Sequence, residues 1–147
     1  MDLERTDWFA DAVAAYRVEA IRLAWRLLGT DSDLAEDIVQ RAFVKAWHRR
    51  DSFRGQANPK TWLYRIIVNQ VRSHQRWALV RLRALRWLPA VVPKVVYEEQ
   101  ADHGLKARIR LAMERLSPHQ REVVVLIHLH GHTVREAAEI LGLADGT

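Results

Sequence analysis

Asn58-Pro-Lys-Thr-Trp-Leu-Tyr-Arg-Ile-Ile-Val-Asn-Gln-Val-Arg-Ser-His-Gln-Arg76 reads as one long helix, apolar on one side and basic on the other. Asn58 is a good N-cap, and Pro59 suits the first helical position, where its missing N–H interrupts nothing. On a wheel of roughly 100° per residue, Leu63, Ile66, Ile67 and Val71 gather on one side. Arg65, Asn69, Arg72, Arg76 and Arg83 lie within about 60° of one another on the other. That row is about 27 Å long at ~1.5 Å of rise per residue, the reach of several phosphates. Asn69 adds a group able to hydrogen-bond a base edge. Trp62 and Tyr64, with Phe53 in the preceding loop, offer flat surfaces for unstacked bases, although Trp62 suits a core better. Arg81 falls on the apolar side of the wheel, so the helix is expected to end or bend before it.

Working outward, helical periodicity is nearly everywhere and strand signals are almost absent. Phe9, Val13, Tyr16, Ala20, Leu23 and Leu27 recur at three- and four-residue spacing until Gly29 ends a first helix. Ser32 caps a second, whose early Asp33, Glu36 and Asp37 favour the helix dipole, and which runs to about Arg50. Pro89, Pro93 and the acidic stretch after Val95 mark 88–103 as a linker. Another helix spans Leu105 to about Leu116. Ser117-Pro118 opens the next, which closes at Gly131. Thr133 then caps a short helix, Val134 to Leu141, with Glu136 completing a capping box. Small Ala137-Ala138 followed by Gly142 reads as the first helix and turn of a helix-turn-helix. The expectation is an all-α protein of two small helical units, 1–87 and 104–147.

Charge sharpens the picture. The 147 residues carry a net charge of +5. Residues 45–86 hold 11 basic groups and one acid, Asp51, while the flanking stretches are net acidic. Basicity concentrated beside aromatics points to nucleic acid rather than a merely solvated surface. With no Cys there is no disulfide, thiolate nucleophile or Cys-ligated zinc. No nucleophile–base pair, phosphate loop or carboxylate pair argues for catalysis. The acidic N-terminus does not read as a signal peptide, and the longest aliphatic run, Val123 to Ile127, is far below the ~20 residues of a membrane span. A cytoplasmic, non-enzymatic protein without cofactor or metal is expected. His128, His130 and His132 read as frayed, partly exposed residues around Gly131; stoichiometric zinc would be needed to read them as a metal site.

The second helix carries two faces. Leu34, Ala35, Ile38, Ala42 and Ala46 form an apolar stripe, while Asp33, Asp37, Gln40, Val44 and Trp47 fall within about 80° of one another on the far side. That mixture suits a protein interface in which an aromatic anchors and acids select a basic partner. Trp47 covering a neighbouring helix fits the pattern equally well.

These residues together resemble a known family. Asp33-Leu-Ala-Glu-Asp-Ile-Val-Gln40, Phe43, Ala46-Trp47, Phe53-Arg54-Gly55, Thr61-Trp-Leu-Tyr-Arg-Ile66 and Asn69 resemble the second conserved region of bacterial sigma factors, most closely the extracytoplasmic-function group. Leu116-Ser-Pro-His-Gln-Arg-Glu-Val123 and Glu136-Ala-Ala-Glu-Ile-Leu-Gly-Leu143 resemble the start of that group's fourth region. The resemblance implies a subunit that binds core RNA polymerase, at its β′ clamp helices and β subunit, through Asp33, Asp37, Gln40, Val44 and Trp47. It implies that Phe53, Arg54, Asn58, Lys60, Tyr64, Arg65, Asn69, Arg72 and Arg76 melt and read single-stranded minus-ten promoter DNA. It also implies an anti-sigma factor as partner. Ser73 departs from the pattern, standing where the family commonly has Asp.

The chain reaches Asp145-Gly146-Thr147 where the family's recognition helix begins, so melted minus-ten DNA is expected to bind and duplex upstream DNA is not. By the same reasoning the C-terminal unit lacks a helix to cover Val125, Leu129 and Ile140, and is expected to be loosely packed or ordered only on a partner. The rival reading is a stand-alone helix-turn-helix regulator that needs no polymerase.

Overall fold

The computed structural model describes residues 3–29, 32–87 and 104–143. Within them the chain is all helical: α1 (Leu3–Leu28), α2 (Ser32–Arg49), α3 (Pro59–Ala84), α4 (Leu105–Glu114), α5 (Pro118–Val124) and α6 (Val134–Leu141). Short 3-10 turns follow α2 and α3, and a π turn, Val125–Leu129, extends α5. The expected linker at 88–103 lies outside the described residues. No described helix is long and apolar enough to cross a membrane.

Local chemistry explains most boundaries. Gly29 leaves α1 at φ +84° and donates to the Trp25 carbonyl at 2.8 Å. The Asn58 side chain accepts from the Lys60 amide at 2.9 Å, and Pro59 opens α3. Ser117 and Gln120 form a capping box on α5, and Thr133 and Glu136 form another on α6. Gly142, at φ +70°, closes α6: its own amide reaches the Glu139 carbonyl and that of Leu143 reaches Ala138, a Schellman arrangement.

Alanines bring the first helices together. Ala20 and Ala24 of α1 and Ala35, Ala42 and Ala46 of α2 are fully buried, so the backbones can approach closely. Leu23, Leu27, Ile38 and Val39 fill the space between them, and α3 completes the layer with Leu63, Tyr64, Ile67, Val68 and Val71. Burying each such aliphatic side chain contributes about 1.5–3 kcal/mol. Beyond Val71 the helix leaves the core, and residues 76–86 are all exposed. This corrects the expectation of a break before Arg81: with no core to face there, an arginine at that angle disturbs nothing, and α3 runs on to Ala84.

The C-terminal unit also departs from expectation. Val125, Leu126, Ala137, Ile140 and Leu141 are buried in one continuous core with α1–α3, while Leu129 stays half exposed. For Val125 and Ile140 the cover comes from α1 and α3, which corrects the expectation there, whereas Leu129 stays uncovered as expected. The histidines differ as well: the side chain of His130 is only 2% exposed and His132 is buried, both lying edge-on to the ring of Tyr64, whereas His128 faces solvent. Replacing Leu126 by Ala should therefore lower the stability of the whole chain by about 2–5 kcal/mol, the cost of a core cavity. Urea denaturation should show that loss in the signal of the α1–α3 tryptophans; a loss below about 1 kcal/mol would mean that the C-terminal unit contributes little to the shared core.

Candidate nucleic-acid interface

On α2, the inward stripe and the outward face separate as the wheel required. Asp33, Asp37, Gln40 and Val44 are exposed. Trp47 is 36% exposed: its ring meets Phe9 at 5.5 Å, and the Arg50 guanidinium lies 3.9 Å from its centre. Both readings of Trp47 therefore hold in part, since the ring meets Phe9 of α1 and carries Arg50 over it, yet stays 36% exposed.

The loop before α3 is pinned by aromatics. Phe53 stacks on Trp8 at 4.8 Å and meets Trp62 at 5.3 Å. One face of Phe53 is thus already occupied. Trp8 was not singled out from the sequence, where it looks like any residue on an amphipathic helix. Arg54, Gly55 and Gln56 project beyond this cluster into solvent. Asn58 is exposed but commits its carbonyl oxygen to the helix cap. The Lys60 ammonium sits 5.4 Å from the ring of Tyr64 and 5.9 Å from that of Tyr16.

Along α3, Arg65, Asn69 and Arg76 are exposed on the side opposite the core, and so is Arg83. Tyr64 is not on that surface: it is fully buried, and burial drives its phenol pKa strongly upward. A base cannot stack on it in this arrangement. The reason is angular, because position 64 sits at the edge of the apolar arc and the C-terminal unit closes over it.

Arg72 is half buried. Its Nε and Nη2 donate to the two carboxylate oxygens of Glu122 at 2.8 and 2.7 Å, and Nη1 reaches the Leu141 carbonyl at 3.4 Å. The hydrogen bonds to Glu122 raise the Arg72 pKa. Glu122 itself is buried and also meets Nδ1 of His119 at 3.1 Å. Sequence reasoning missed Glu122, although an acid three and four residues before Val125 and Leu126, on their apolar face, was a signal for a basic partner.

Next to this pair, Gln56, Trp62 and Arg65 on one side and Glu139, Gly142 and Leu143 on the other line a cleft of about 530 Å³. The seam continues to α1. Arg26 donates to the Leu129 carbonyl and to Nε2 of His130, both at 3.1 Å. With Nε2 accepting, the proton of neutral His130 lies on Nδ1, which faces Glu19 at 3.7 Å. Burial, with the Arg26 charge, pulls the His130 pKa down to about 4. Burial lowers that of His132 as well.

Comparison with known proteins matches residues 12–78 to Sigma-70 region 2 and residues 106–147 to Sigma-70, region 4. The chain is 31% identical to the ECF RNA polymerase sigma factor SigW of Bacillus subtilis, covering 96% of this chain and 81% of SigW. It is 33% identical to SigM of Mycobacterium tuberculosis, covering 86% of this chain but 62% of SigM, so it spans less than two thirds of that relative. Among solved structures it resembles RpoE of Bartonella quintana, in complex with the anti-sigma factor NepR, with a TM-score of 0.73, 30% identity and coverage of 92% of this chain and 84% of that one. It also resembles CnrH in complex with the cytosolic domain of CnrY, with a TM-score of 0.63, 31% identity and coverage of 92% and 74%.

The buried histidine predicts an acid response. His130 ionises at about 4 here against an ordinary 6.5, so an unfolded chain takes the proton first as pH falls. The stability held by the neutral ring is complete above pH 6.5 and drains as pH drops toward 4, by at most about 3 kcal/mol. Denaturation midpoints measured across that window should fall in the native chain and fall less in His130→Asn. An equal fall in both would assign the acid response to other groups.

Proposed function

The chain belongs to the extracytoplasmic-function group of sigma-70 factors, and from that premise we propose that it binds core RNA polymerase and directs promoter recognition, melting and transcription initiation. The observation that carries this reading is the opposition built into α3, with its apolar face in the core and Arg65, Asn69 and Arg76 on the outside. A row of arginines holds a nucleic-acid backbone without regard to sequence, and an amide among them can discriminate bases. On this reading Phe53, Arg54, Asn58 and Lys60 guide the strand at the start of the helix, Arg65, Asn69, Arg72 and Arg76 receive it, and Tyr64 supports them from within.

Asp33, Asp37, Gln40, Val44 and Trp47 form the polymerase-docking face, toward the β′ clamp helices, with further contact to the β subunit. The chain divides into a region 2 unit (1–87), a linker (88–103) and a region 4 unit (104–147). Any catalysis belongs to the polymerase; the chain acts in the cytoplasm, without a cofactor, by trapping melted bases. The relatives RpoE and CnrH were solved with NepR and CnrY, and an anti-sigma partner is proposed here by that likeness.

Two experiments test the two faces. Replacing Asp37 and Trp47 together by Ala should abolish co-elution with core polymerase at unchanged helical content; unchanged co-elution would refute the docking face. Replacing Arg65, Arg72 and Arg76 by Gln should weaken single-stranded and forked promoter DNA at all sequences, and flatten the log–log salt dependence by about 0.7 per lost contact. An unaltered salt slope would remove the phosphate contacts.

A further inference from the structure

Past Val71 the α3 helix leaves the core, and every residue from 76 to 86 is exposed. A merely solvated helix end would be polar all round. This one carries Trp77, Leu79, Val80, Leu82 and Leu85 in the open, Trp77 at 70% exposure. At ~100° per residue, Trp77, Val80, Arg81 and Ala84 fall within about 100° of one another. Their i, i+3, i+4, i+7 spacing is that of a helix side that packs on another protein surface. The stripe lies roughly 90° round the helix from the row of Arg65, Asn69, Arg76 and Arg83, so it is a different face from the strand-binding one. Its charge is all of one sign, because no acid occurs between Asp51 and Glu98.

The outward face of α2 is the complement of that stripe. Glu36, Asp37, Gln40 and Val44 are exposed, and Trp47 stays partly open. Its acids lie toward the N-terminal end and its apolar groups toward the other, where Arg50 already sits over the Trp47 ring and Arg41 flanks the face. A cation brought to it therefore belongs at Asp37. An antiparallel contact that sets Arg81 on Asp37 carries Trp77 about 6 Å along the axis, toward Gln40 and Val44. Tryptophan and arginine are the side chains that most often anchor an interface. A lipid surface suits the stripe less well, since it would hold Arg81 inside the apolar arc with no carboxylate to meet. Within one chain both faces are exposed and neither covers the other, so the occupant that completes both is a second copy.

We propose that the chain self-associates, the free end of α3 in one copy (Trp77, Val80, Arg81 and Ala84) docking on the outward face of α2 in another (Glu36, Asp37, Gln40 and Val44). Each copy offers both faces, so the contact forms twice between two copies related by a twofold axis. Opposite charges set partner and register, while Trp77, Val80 and Val44 supply the apolar burial. The pair covers the face read above as the polymerase-docking surface, so pairing and polymerase docking exclude one another. That exclusion rests on the docking reading, whereas the pairing does not.

Light scattering on the full chain at low salt should show mass rising with concentration toward that of a pair, and falling back as added salt screens the charges. Arg81→Glu and Asp37→Lys should each weaken pairing by at least about tenfold, because each sets like charges face to face. An equimolar mixture of these two variants should pair again, since one contact is then native and the other has both charges reversed. Trp77→Ser should weaken pairing at unchanged helical content. Arg17→Glu, the same charge change at an exposed site on α1, should leave it intact. A native chain that is monomeric throughout would overturn the proposal; one that is monomeric yet sediments with phosphatidylglycerol vesicles would give the stripe to a lipid surface instead. Failure of the mixture to pair would refute these two faces as partners. Equal losses in Arg81→Glu and Arg17→Glu would reduce the effect to net charge and overturn it too. Core polymerase added to the native pair should leave one chain per polymerase. Polymerase that takes up the intact pair would overturn the exclusion and the docking reading, while the pairing stands.

Discussion

Burial of the α3 face from Leu63 to Val71 is the contact on which the other helices depend. α1 and α2 are brought together by alanines, but Leu63, Ile67 and Val71 close the space between them. The C-terminal unit extends the same core rather than forming its own, with Leu126 and Ile140 fully buried in it. The constraint this sets is tight because inward and outward residues are sequence neighbours: Tyr64 is buried and Arg65 exposed, Val68 buried and Asn69 exposed. A small rotation of α3 would change core and surface together, so packing fixes where the arginine row points.

Local features were legible in the sequence and long-range ones were not. The caps at Asn58, Ser117 and Thr133, the stop at Gly142 and the two faces of α2 each depend on residues within one or two turns, and each sits where pattern alone put it. The errors share a different cause. Val125 and Ile140 were visibly apolar, but nothing local says that α1 and α3 cover them. His130 and His132 flank a glycine and look frayed; their burial is set by Tyr64, Glu19 and Arg26, which lie far away in the chain. Tyr64 sits at the margin of a wheel, where angle cannot decide whether a ring faces core or solvent. The arginine row was readable as a row, but the engagement of one member by Glu122 was not.

That engagement follows from charge distribution. Eleven cations between residues 45 and 86 share their segment with one acid, Asp51, so neutralisation has to come from elsewhere. Most of the arginines meet this demand by standing in water. Arg72 cannot, because it lies where the C-terminal unit seats, and a guanidinium withdrawn from water without a counter-ion would be strongly destabilising. Glu122 resolves the conflict by meeting Arg72 in a two-bond fork.

The two candidate faces differ in how the C-terminal unit meets them. Asp37, Gln40, Val44 and the open part of Trp47 lie on the side of α2 away from α3, and the C-terminal unit does not reach them. The cleft at Trp62 and Arg65, and the Arg72 side chain, lie where that unit sits. The α2 face is therefore open as the chain stands, whereas Arg72 on α3 is already engaged by the C-terminal unit. One helix thus meets two demands: its inner face holds the fold, while its outer face keeps Arg65, Asn69 and Arg76 in water and Arg72 on an internal carboxylate.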